Sequence, residues 1–223
     1  MKTLYFFVLL ISTQLFSQEP PSQNLGDFSE LKVYDLINIE LIKATQNKIV
    51  ISGENKNDVS VVQKNKKLKI RMKLNKMFDG KNTNIKLYYT AIDEIDANEG
   101  AKIDVKSKIK QYEITLKAQE GAQITATIDT QILNIKSVTG ATITTSGQSK
   151  QLDLSLRTGG VYNGKETTAQ NTTLSIKAGG EASVNTSHVL QVKIFSGGDV
   201  FVYGTPKQLK QNKLFGGRII FKD

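Results

Sequence analysis

Seven short phrases built on glycine recur down the chain at nearly constant spacing. They are EGAKIDV from Glu99, EGAQITA from Glu120, TGATITT from Thr139, GGVYNGK from Gly159, GGEASVN from Gly179, SGGDVFV from Ser196 and GGRIIFK from Gly216. Aligned on Gly100, Gly121, Gly140, Gly160, Gly180, Gly198 and Gly217, they step by 21, 19, 20, 20, 18 and 19 residues. A fixed period near twenty marks a repeat architecture, in which one unit buries its apolar face only by stacking on the next.

Each unit alternates with period two on both sides of its glycine. Ile114, Leu116 and Ala118 precede Gly121, and Ala122, Ile124 and Ala126 follow it; Leu133 and Ile135 precede Gly140, and Ala141 and Ile143 follow. Period two puts one face in a core and the other in water, which rules out a helical solenoid. Strand, glycine corner, strand and polar return make one coil, and glycine suits a corner whose backbone other residues adopt only at a cost. The pattern predicts an all-β protein, a parallel β-helix or solenoid with coils of about 20 residues. An antiparallel meander would alternate as well, although it has no need of the twenty-residue phase. The coil carrying Val161–Asn171, VYNGKETTAQN, breaks the alternation and predicts a bulge or longer loop.

Residues 28–91 have a different texture. Amphipathic strands are expected around Leu31–Asp35, Ile37–Ile42, Lys48–Ser52, Val59–Gln63, Lys67–Leu74 and Asn84–Thr90, with Asp79-Gly80 as the turn of the loop from Asn75 to Asn84. In KLKIRMKL, Leu68, Ile70, Met72 and Leu74 share one face and Lys67, Lys69, Arg71 and Lys73 the other. This front section is expected to cap the open edge of the first coil, and residues 28–223 to form a single domain with coils over 92–223.

Before it, MKTLYFFVLLISTQLFS has a positive Lys2, an apolar run from Leu4 to Leu15 and a small Ser17. That is the layout of a secretory signal peptide over residues 1–17, with a short linker over 18–27 and no membrane span left after cleavage. The 223-residue chain has no cysteine, which removes disulfides, thiolate metal sites, a thiol nucleophile and a lipidated cysteine. Its formal charge is +9. Ten of its Lys/Arg lie between Lys48 and Lys81, against Glu54, Asp58 and Asp79. In an exported protein such charge suits anionic glycans or acidic headgroups, not nucleic acid, and Lys67, Lys69, Arg71 and Lys73 are the candidate anion-contacting face. A solvated strand face that discourages edge pairing is the alternative.

FSELKVYDLINIEL (Phe28–Leu41), KKLKIRMKL, the Gly-Ala coils and SGGDVFVYGTPKQ…FGGRIIF together resemble the head GIN domain family of putative autotransporter adhesins, exported proteins of Gram-negative bacteria. The resemblance covers roughly Phe28 to Phe221. It implies a right-handed β-helix related in shape to pectin lyases, with glycine motifs at the tight turn between two sheets. It further implies a role in cell adhesion and assembly into trimers.

Catalytic chemistry is hard to find. His188 is the only histidine and is expected at the surface of a coil turn. Asp93, Glu94, Asp96, Glu99 and Asp104 could in principle serve a hard cation, but the Asp-x-Asp-x-Asp-Gly spacing is absent and strand alternation makes the carboxylates diverge. Asp129, Asp153 and Glu166 offer no evident pair for glycoside hydrolysis. Gly159-Gly160 and Gly197-Gly198 lack the GK[ST] ending and following helix of a phosphate loop. No catalytic residue, metal or cofactor is therefore assigned. The expectation is a non-enzymatic exported module of the envelope or surface that binds a glycan or an envelope or host protein through polar sheet faces. A polysaccharide lyase or hydrolase on the same fold, and a structural protein assembling through its terminal coil, stay open as alternatives.

Overall fold

The computed structural model of the chain describes residues 22–222. The leader assigned to residues 1–17 and the first residues of the linker lie outside the described residues. The rest of that linker joins a sheet, because β1 (Ser22–Asn24) pairs antiparallel with Lys48–Val50.

Two walls of parallel strands run the length of the molecule. β2 (Glu30–Val33) and β3 (Asn38–Lys43) form the two sides of one coil, joined through Asp35 and Leu36, whose φ angles are 60° and 62°. The chain then overshoots. β4 (Lys48–Gly53) and β5 (Val59–Lys64) are laid down farther out, and β6 (Lys67–Met72) and β7 (Thr83–Tyr89) return to fill the gap. β6 pairs parallel with β2, and β7 parallel with β3; β4 and β5 run antiparallel on their outer edges. Growth resumes on the other side of β2 with β8 (Glu94–Ala97). The front section thus contains coils of the solenoid itself, inserted out of sequence order, and ends it with reversed strands. Leu74 departs from the expected apolar face: β6 stops at Met72, a single 3₁₀ turn follows over Leu74–Lys76, and Leu74 is 79% exposed. The loop turns at Met77 and Phe78, with Asp79 and Gly80 just beyond.

Five long strands supply the middle coils: β9 (Lys102–Gln119), β10 (Gln123–Val138), β11 (Thr142–Arg157), β12 (Val161–Ile176) and β13 (Glu181–Ser196). Each pairs parallel with the next one coil on, so that Ile103, Ile124, Ile143, Tyr162 and Ala182 form one line. That register excludes the meander. Each strand wraps most of a coil by switching the parity of its inward residues. In β10 the buried set runs Ile124, Ala126, Ile128, Thr130 and then Leu133, Ile135, Ser137. In β12 the extra residue is a bulge: Thr144 faces Asn163, but Ser146 faces Glu166. β14 (Asp199–Val202) and β15 (Gln208–Phe215) make the next coil on β13, and β16 (Arg218–Phe221) continues from β14. The architecture is a β-solenoid of about 7 turns with about 19 residues per coil.

The corners explain the glycines. At Glu99-Gly100, Glu120-Gly121, Thr139-Gly140 and Thr158-Gly159 both residues have φ between 50° and 74°. The residue after each donates back to the one before, as Ala122 N does to Gln119 O at 3.2 Å. Two successive left-handed residues are the type I′ pattern, used here to join two walls and not the arms of a hairpin. Gly121 and Gly140 have open space where a Cβ would sit, so φ alone selects glycine there. Gly160 stands one residue past its corner: Gly159 carries the positive φ, and a Cβ on Gly160 would meet Ser137 O at 2.1 Å. From Gly179 onward the corner becomes Gly-Gly, with Gly180, Gly198 and Gly217 at φ 130°, 117° and 96°.

The core is a narrow stack of aliphatic lines interrupted by buried polar groups, Thr130 with Ser149, Thr172 with Thr186, and a seam around Tyr162. Tyr162 is fully buried and its hydroxyl lies 2.8 Å from Thr145 Oγ1, which is in turn 2.7 Å from Thr167 Oγ1. Room for the ring comes from Gly164, where a Cβ would stand 2.3 Å from Tyr162 Cε1.

Candidate binding surfaces

The first candidate is a groove of about 610 Å³ on the outside of one wall. Outward-facing residues of β4, β7, β3, β9 and β10 line it in two straight rows. One row runs Ser52, Asn84, Asn38, Lys102, Gln123; the other runs Val50, Lys86, Glu40, Asp104, Thr125. Strand alternation aims these side chains outward, and parallel stacking repeats them about 4.8 Å apart. Lys106 lies beside both acids, bonded to Asp104 and 3.4 Å from Glu40 Oε1. The Asn84 and Gln123 side-chain amides have no hydrogen-bond partner among the described residues, so they can serve a ligand. Amides, a few charges and no ring floor make a surface suited to a polar polymer lying across the strands.

The basic row on β6 is spoken for. Lys67 Nζ is 2.9 Å from Glu30 Oε2 and holds that carboxyl below the ordinary carboxylate range. Lys69 Nζ lies 4.7 Å from the centre of the Tyr34 ring, and Lys73 sits 3.8 Å from Asp58 and donates to Asn57 O at 2.7 Å. Arg71 approaches the buried Asp35 at 3.7 Å. Asp35 itself accepts from the backbone N–H of Met72 at 3.0 Å and Phe78 at 3.3 Å, which stitches the corner to the next coil out. The partners of these cations come from β2, its corner and the turn before β5, none of them visible in KLKIRMKL alone.

The acidic candidates disperse as strand alternation requires. Glu94 and Asp96 point outward from β8 onto Lys117 at 2.6 Å and Lys32 at 2.9 Å. Asp104 is held by Lys106, while Glu99 turns to the corner and meets Asp35. Burial first, and then the neighbouring Asp35 carboxyl, push the Glu99 carboxyl up from its ordinary range. Asp129 accepts from Gln148 at 2.9 Å and Asp153 from Gln151 at 2.9 Å, on separate parts of the surface, and Glu166 lies across from Ser146. Among the described residues no three such groups converge as a metal site would need. His188 is exposed at the bend of β13, its Nδ1 3.3 Å from Ser187 Oγ.

A second surface is not legible from any single strand. Lys136, Arg157, Lys177 and Lys193 all project from the wall opposite the groove, each two or four residues before a corner glycine, and the sheet ends there in exposed Phe195, Leu214 and Phe215. The signal was available in the phase of the repeat: aligned on the corners, NIKSVTG, SLRTGG, SIKAGG and VKIFSGG carry a cation at the same approach.

Fold and surfaces together define a class: a β-solenoid with reversed strands closing one end and polar rows along its flanks. The chain belongs to the family described as "Putative auto-transporter adhesin, head GIN domain", whose model matches residues 27–206. Solved structures with the same fold include a "putative adhesin" from Bacteroides fragilis NCTC 9343, at TM-score 0.83 and 14% identity over 91% of this chain and 95% of that one. Another "putative adhesin", from Parabacteroides merdae ATCC 43184, gives 0.71 and 16% over 91% and 95%. A "Putative lipid binding protein" from Parabacteroides distasonis ATCC 8503 gives 0.67 and 14% over 93% and 98%. No curated protein sequence matches significantly.

Proposed function

We propose that the protein is a non-enzymatic, exported surface module that binds an extended polar polymer, a surface glycan first, in the groove across β4, β7, β3, β9 and β10. The observation that carries this is the pair of straight polar rows on five successive strands, with the Asn84 and Gln123 amides free to hydrogen-bond. A rigid ladder loses little entropy on binding a long ligand, because its side chains are already ranked by the backbone. Family membership supports adhesion and export, and among the described residues no helix is long and apolar enough to cross a membrane. Against a lyase stands the dispersal of the carboxylates, Glu94, Asp96 and Asp104 each held by a lysine.

The test is an array of bacterial and host glycans probed with the purified protein and with Asn84→Ala/Gln123→Ala, at low and high salt. Selective binding that survives salt and weakens about tenfold in the variant, about 1.4 kcal/mol, is expected. Binding indifferent to the variant, or shortened or unsaturated sugar products, would overturn it.

A further inference from the structure

The wall opposite the groove carries positive charge that neither the fold nor the proposed groove uses. Lys193 aligns with Ser175 on one side and Asn212 on the other. One residue beyond the buried line Leu156, Ile176, Ile194 come the exposed Arg157, Lys177 and Phe195. No ion pair engages Arg157, Lys177 or Lys193 among the described residues, in contrast to Lys32, Lys67 and Lys117 near the other end. The charge borders an apolar tip. Phe195 and Phe215 meet edge to face at 6.1 Å, yet they are 57% and 65% exposed, and Leu214 beside them is 57% exposed. Between Lys177, Lys193, Phe195, Asn212 and Leu214 lies a hollow of about 600 Å³.

We infer that this tip docks on an anionic lipid surface, with Phe195, Leu214 and Phe215 entering the interface and Lys177, Lys193 and Arg157 meeting headgroups. Large apolar side chains gain by leaving water for the acyl boundary, and cations beside them are drawn to a negative surface within a Debye length. Lysine stems can lie along apolar surface with their heads in water, and an interface calls for that posture. A second copy of the chain fits less well, since a two-fold contact through this patch would set its cations against themselves. A free polyanion would satisfy the cations and leave both phenylalanines wet.

The test is sedimentation of the protein with vesicles of phosphatidylcholine alone or mixed with phosphatidylglycerol. Binding to the mixed vesicles only is expected. Lys177→Glu/Lys193→Glu should weaken it by about fivefold per cation, most at low salt. Phe195→Ser/Phe215→Ser should abolish the fraction that persists at high salt. These side chains are exposed, and unchanged circular dichroism confirms that each variant folds. Equal binding to both vesicle types, no loss in either variant, or the phenylalanine variant abolishing a dimer seen by light scattering in place of vesicle binding would overturn the proposal. The groove variant Asn84→Ala/Gln123→Ala should sediment like the parent, which keeps this outcome separate from that of glycan binding.

Discussion

Tyr162 shows how much one residue can reveal about the core. A phenol in a solenoid stack is tolerated because Thr145, itself bonded to Thr167, holds its hydroxyl and Gly164 yields its volume. Burial pushes its pKa up to about 12, outweighing the two hydroxyl hydrogen bonds that lower it. The folded state therefore holds this proton more tightly than the unfolded chain. The contribution is full below the ordinary tyrosine value near 10 and is lost as pH rises from there to about 12, by about 3 kcal/mol across the window. Tyr162→Phe is expected to cost about 1 kcal/mol at pH 7 through the lost hydrogen bond and to flatten the alkaline decline. Urea midpoints at pH 7, 10 and 11 for both proteins would show it; parallel declines would refute it. Nothing in VYNGKETTAQN announces a buried tyrosine. The group that receives its hydroxyl, Thr145, sits one coil earlier on β11, and the stretch itself is so polar that it reads as a loop.

At the scale of the element, the corner column is the feature most open to sequence and the one with most hidden chemistry. The glycine period is visible because φ between 50° and 74° penalises other residues. Gly159 and Gly160 are indistinguishable by type, and the positive φ of Gly159 and the Ser137 carbonyl 2.1 Å from a Cβ on Gly160 separate their roles. Likewise Glu99 looks like a solvent turn residue, yet its Oε2 is buried without a partner and its neighbour is Asp35, 64 positions earlier by number. With its carboxyl pushed up, Glu99 contributes stability that is complete below the ordinary glutamate range and is lost as pH rises through the raised value. A glutamine there keeps a donor for Asp35 at every pH. Glu99→Gln should thus be about 1 kcal/mol more stable than the parent at pH 7, and the advantage should vanish near pH 4. Chemical denaturation at the two pH values decides it; a less stable variant at pH 7 would show that Asp35 does not need that donor.

For the whole molecule, the two ends differ in a way that sets its dynamics. Solenoid stability is close to a sum of coil terms and neighbour interfaces, so a coil with one neighbour is the first to open. The front end hides this weakness by laying β4 and β5 backwards over β7 and β6, an ordering local pattern does not disclose because, beyond the β5–β6 hairpin, it depends on pairings 30 to 64 residues apart. Among the described residues the far end has no such cover. β15 pairs only with β13 among the described residues, and past Leu209 its inward positions are filled by Gln211 and Lys213 where the previous coil places Val192 and Ile194. That exchange of aliphatic for polar side chains blunts the edge against sheet growth but removes the apolar burial that would hold the coil down. β16 is held on β14 by a four-residue parallel ladder, to which Arg218, bonded twice to Asp199 at 2.8 and 2.6 Å, adds a side-chain clamp. Amide exchange should therefore be slowest in β10 and β11, faster in β13 and fastest in β15, with β7 protected although it lies near an end. Removing the clamp with Arg218→Ala should speed exchange in residues 218–221 and leave β10 unchanged. If β15 exchanged as slowly as β10, the terminal coil would have to be covered by a partner, and the lipid-facing tip would be the first place to look for it.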